Sequence, residues 1–144
     1  MMNLLYIPFV LQGSAMFVDE FYFHRKRGLL RWERIGHPLD TITVFMCYLF
    51  LLFASITQSN VIIYGCLAIF SCLFVTKDEF IHAKECSPSE HWLHAFLFIL
   101  HPIILGLAGW MWINQLPNSL LIGQTLLTGM FLIYQIIYWS IRHE

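Results

Sequence analysis

Nine side chains of metal-ligating type recur near the ends of apolar segments: Glu20, His24, His37, Asp40, Glu79, His82, His91, His94 and His101. They follow a pattern. Asp19-Glu20-Phe21-Tyr22-Phe23-His24 and Asp78-Glu79-Phe80-Ile81-His82 each run from an acid pair through Phe to a histidine. Gly36-His37-Pro38-Leu39-Asp40 and Glu90-His91-Trp92-Leu93-His94 each place a histidine and a second ligand three residues on. On helices, Glu20 with His24, Glu79 with His82 and His37 with Asp40 share a face. Glu90, His94 and His101 fall within roughly 40° of one another at about 100° per residue. Facing helices that each project carboxylate and imidazole inward are how bundle metalloproteins build their sites. The mixed donor set suits iron first, with zinc or manganese as alternatives. It exceeds the needs of one ion, so two metal ions are expected. Asp19, Asp78, Glu90 and Tyr48 are expected to orient the ligands.

The elements that must carry these residues are apolar. Of 144 residues, 58% are hydrophobic and 12% charged, about half the charged share of a soluble domain. Mean hydropathy is +0.67. A net charge of −1 offers no basic field, so no nucleic-acid partner is expected. The bilayer core needs roughly 20 apolar residues per helix, and five such spans emerge, at about 4–24, 39–57, 61–82, 90–113 and 119–142. The expected fold is a single all-α domain over 1–144, a polytopic membrane helix bundle with five transmembrane helices. Spans one-two and three-four read as a parallel repeat. Gly13-Ser14-Ala15 resembles a cleavage region, but no Lys or Arg precedes it, so the first span is expected to be retained.

All eight Lys and Arg residues fall at one side of these spans, which the positive-inside rule makes cytoplasmic. The N-terminus is then outside, the C-terminus inside, and the site faces the cytoplasm of a bacterial inner membrane. Arg25, Lys26 and Arg27 suit lipid headgroups as well as topology. Gln124, Thr128, Gln135 and Tyr138 form a polar stripe, suited to helix contacts or to a substrate path. Trp110, Trp112 and Trp139 read as interfacial belt residues. The four cysteines lack paired spacing and disulfides are not expected. Cys86 lies near enough to the cluster to be weighed as a ligand.

These features point to a membrane oxidoreductase acting on a lipid or other apolar substrate, served by an electron donor. His91-Trp92-Leu93-His94 resembles part of a box in the histidine-box membrane hydroxylases and desaturases. That resemblance covers only the inner helix ends, lacks the doubled His-His box, and implies a class of chemistry: two irons bound at cytosolic helix ends. Other readings stay open at this point: metal or proton transport, haem ligation, and a structural subunit. Any single acid or histidine here also suits the membrane interface, and His101 an interhelical hydrogen bond.

Overall fold

The structure, a computed structural model, describes residues 2–141, and the side chains of residues 4–77 and 79–139 within them. Among the described residues every regular element is helical. Five helices are long and apolar enough to cross a membrane: α1 (Leu4–Arg27), α2 (Arg31–Phe53), α3 (Gln58–Glu85), α4 (Pro88–Ile113) and α5 (Ser119–Trp139). α2 packs along α5 and α3, and α4 packs on α1 and α3. Large side chains such as Phe53, Ile69, Leu73 and Met130 point outward and are more than half exposed, as lipid-facing residues are.

The helix ends differ from expectation in one consequential place. Span two was expected to open after Pro38, yet α2 begins at Arg31. Gly28 ends α1 at φ 76°, and its N–H donates to the His24 carbonyl at 2.8 Å. Leu30 is then extended, and its N–H donates to the Glu33 carboxylate at 2.9 Å. Glu33 therefore caps α2, and Pro38 lies inside the helix. α4 opens similarly. Ser87 and Glu90 form a reciprocal capping box with Pro88 in the first turn, so α4 starts two residues before the expected Glu90. Residue 142, the expected end of span five, lies outside the described residues.

The core joins α2, α3 and α4 through Tyr48, Leu51, Tyr64, Leu105, Ala108 and Trp112. Trp112 is therefore no belt residue: it is 6% exposed, and its indole N–H donates to the Ala54 carbonyl at 3.2 Å. Trp139 is likewise buried, whereas Trp110 is half exposed. Tyr64 donates to the Leu105 carbonyl at 2.6 Å, and its ring lies where a Cβ on Gly109 would come within 2.5 Å of Cε1. Small residues let membrane helices approach in this way. Gly109→Ala should force Tyr64 aside and lower stability by about 1–3 kcal/mol. Gly106→Ala, with open space around it, should leave stability unchanged or raise it slightly. Thermal unfolding of both variants in the same detergent checks this.

Candidate metal centre

The site begins with helical spacing. Glu20 precedes His24 by four residues, Glu33 precedes His37 by four, and Glu90 precedes His94 by four. Each pair shares one helix face. The fourth histidine, His82, comes from α3. These four imidazoles meet at one end of the bundle. Ring centroids lie 4.6 Å apart for His24–His37, 6.0 Å for His37–His82, 4.3 Å for His82–His94 and 6.2 Å for His94–His24. The four close into a ring.

Carboxylates surround it. Asp19 Oδ1 lies 3.0 Å from His94 Nε2, and its Oδ2 3.3 Å from His24 Nε2. Both contacts need the local geometry of α1, which widens into a π-helix over Asp19–His24. Such widenings recur at functional sites, and this one turns Asp19 and Glu20 toward the same histidine. Glu20 Oε2 sits 3.4 Å from His24 Nδ1. The Glu20 carboxylate also accepts from Trp139 Nε1, and from Gln135 Nε2 at 3.4 Å. Gln135 Oε1 accepts in turn from Thr41 at 2.6 Å. On the other side, Arg27 donates twice to Glu33, at 2.7 and 3.0 Å, and once to Glu90, at 3.2 Å. Arg27 thus clamps two carboxylates; Arg25 and Lys26 are exposed and lie over the rings of Phe21, Tyr138 and Tyr22.

Two separate donor sets result, each with its ligand atoms within 4.8 Å of one another: Asp19, His24, Glu90 and His94, and Glu33, His37 and His82. A third grouping combines His82 and His94 with Cys86. The Cys86 thiol is pushed up to about 12, first by burial and then by the charge of Glu90, so without a metal it stays protonated at neutral pH. The donor chemistry fits metal ions on a second ground. His37 Nε2 and His94 Nδ1 are buried without a hydrogen-bond partner, and buried polar atoms are normally satisfied.

Of the nine expected ligands, His24, His37, His82 and His94 come together, with Glu20 beside them. Four do not join. Asp40 is held by Lys77 at 2.7 Å. Glu79 and His91 face each other at 3.2 Å on a half-exposed surface. His101 Nε2 meets Ser71 Oγ at 3.0 Å, and Ser71 meets Thr43 at 2.7 Å, an interhelical chain. Asp19 and Glu90, expected as orienting residues, stand among the ligand atoms, while Glu20 is the residue held from behind. The side chain of Asp78 lies outside the described residues. Tyr48 is further along α2. Sequence reading passed over Glu33, which the four-residue carboxylate-to-histidine spacing would have found.

A cavity of about 210 Å³ leads from this cluster into the bundle, lined by the four histidines and by apolar residues including Phe9, Val44, Leu97 and Leu127. Gln124, Thr128 and Gln135 of the polar stripe line it too, whereas Tyr138 stacks on Tyr134 at 5.4 Å. No protein-family model, curated protein or solved structure matches the chain.

The clamp makes a direct prediction. In chelator-treated protein, Arg27→Ala leaves two buried carboxylates without their cation and should cost about 3 kcal/mol. A double-mutant cycle with Glu33→Gln, read by thermal or denaturant unfolding, should give a coupling of about 1–3 kcal/mol.

Proposed function

We propose that the chain is an integral membrane metalloprotein that holds two metal ions at one end of its helix bundle and acts as an oxidoreductase on an apolar substrate. One observation carries this reading. Four imidazoles, three of them buried and His37 half-buried, and three buried carboxylates, from helices that pack on one another, form two adjacent donor sets beside a largely apolar cavity. Asp19, His24, Glu90 and His94 would hold one ion, and Glu33, His37 and His82 the other. Imidazole with carboxylate favours iron, with zinc and manganese next. Iron there would supply redox chemistry and oxygen activation.

The chain's own residues do the rest. Glu20 accepts at His24 Nδ1, which leaves Nε2 toward the donor set and fixes the ring's orientation. Arg27 fixes Glu33 and Glu90 through their outer contacts. The cavity's largely apolar lining would present a hydrocarbon segment to the cluster. The gathering of the described basic residues at this end favours a cytoplasmic orientation, where reduced iron and soluble electron donors are accessible. Haem accounts for the cluster less well: its iron takes at most two axial protein ligands, whereas seven donor residues meet here in two sets.

Metal analysis of the purified protein tests the reading. The expected content is about two equivalents per chain. Glu33→Ala and His94→Ala should each lose at least one, while Asp40→Asn and His91→Ala should keep both. Glu20→Gln should weaken retention about 10–100-fold. Because ligating imidazoles must be deprotonated, retention should fall as the medium is acidified. Metal content at background in the wild type would sink the proposal.

A further inference from the structure

The cavity has a second polar level that the metal centre does not use. Gln12 lies twelve residues before His24 on α1, Tyr48 eleven after His37 on α2, and Gln124 eleven before Gln135 on α5. At 1.5 Å per residue these three sit at one depth, about 17 Å from the cluster. All three line the cavity. Gln12 is 6% and Tyr48 1% exposed, and both Gln12 Oε1 and the Tyr48 hydroxyl are buried without a hydrogen-bond partner. Buried polar atoms are normally satisfied, so each is poised to meet a polar group that enters the cavity.

Between the two levels the walls are mostly apolar, with Met16, Val44, Leu97, Phe98 and Ile104, interrupted by Thr128 and by His101, whose Nε2 is engaged by Ser71. A cavity of about 150 Å³ admits benzene. Here about 210 Å³ extends over about 17 Å, which gives a narrow space shaped for one hydrocarbon chain rather than a fused ring system. Access is from the side. Phe17 of α1 and Leu127 of α5 both line the cavity, yet are 61% and 53% exposed on the outer surface. Toward the cluster α1 and α5 are tied by the Glu20–Trp139 hydrogen bond and the Phe21–Tyr134 ring pair at 5.0 Å. The opening therefore lies beyond that tie.

We propose that the cavity seats a single straight alkyl chain bearing a terminal hydroxyl-type group, which enters between Phe17 and Leu127. The terminal O–H donates to Gln12 Oε1 and its oxygen accepts from Tyr48, with Gln124 beside them. The far part of the chain then lies against the histidine cluster. This deepens the oxidoreductase reading by naming its substrate class, and the seat itself stands on the cavity alone.

The test is binding of tritiated 1-dodecanol, whose extended length is close to that of the cavity, to the full chain in phosphatidylcholine nanodiscs. The expected result is a saturable site, one per chain, for which unlabelled dodecane competes at least about tenfold less well. Gln12→Leu and Tyr48→Phe should each weaken binding about tenfold, the scale of one hydrogen bond. Leu127→Trp should slow association severalfold. Equal competition by dodecane, with no change in either polar variant, would overturn the proposal. Metal content is measured on the same samples. Two equivalents per chain with only non-saturable uptake of the alcohol sinks the seat alone; saturable binding without metal supports the seat and sinks the metal reading alone.

Discussion

Everything at this end of the molecule answers to buried charge. Asp19, Glu20, Glu33 and Glu90 are each 7% exposed or less, and the one guanidinium among them is Arg27. Ionised carboxylates in excess of their cations are severely penalised in an apolar bundle. Protonation, imidazolium or bound cations can each supply the balance. The two metal ions proposed above would do so with the four imidazoles among their ligands. The same ions would engage the buried His37 Nε2 and His94 Nδ1, which have no hydrogen-bond partner.

The backbone is shaped around that demand. Glu33 and Glu90 occupy equivalent places: each caps the start of its own helix, each is gripped by Arg27, and each stands four residues before a clustered histidine. An anion is favourable at a helix N-terminus, so cap, clamp and donor set reinforce one another. On α1 the carboxylates lie near the end of the helix, where no such cap is available. There the π-helical widening brings Asp19 and Glu20 to His24, and the donors Gln135 and Trp139 take the role that the helix start plays for α2 and α4.

The sequence reveals five apolar helices and a polar end enriched in histidine because hydrophobic length and residue type are local properties. It also reveals His24, His37, His82 and His94 as candidates. What it hid follows from one boundary. Pro38 suits a first helical turn, and starting the helix there leaves Glu33 in a loop and makes Asp40 the natural partner of His37. The early start of α2 depends on Glu33 reaching back to Leu30, a contact that residue types alone do not reveal. Glu79 and His91 were equally plausible by spacing, but they meet each other on the outside. Trp112 and Trp139 look interfacial by position, and only their indole partners, Ala54 and Glu20, explain their burial. Arg27 reads as a topology signal until the fold brings Glu90 to it across 63 residues.

α5 contributes no candidate ligand, yet it decides how the two ends of the molecule act together. Its Gln135 joins Thr41 of α2 to Glu20 of α1, and Trp139 holds the same carboxylate. Farther along the same helix, Leu127 and Gln124 form part of the cavity wall. A displacement of α5 that admitted a ligand between Phe17 and Leu127 would pull on the hydrogen bonds that fix Glu20, and Glu20 sets the orientation of His24. Such coupling would run along one helix, with a wall residue at one level and two carboxylate donors at the other. Packing at the side opening and geometry at the histidine cluster are therefore consequences of the same helix position.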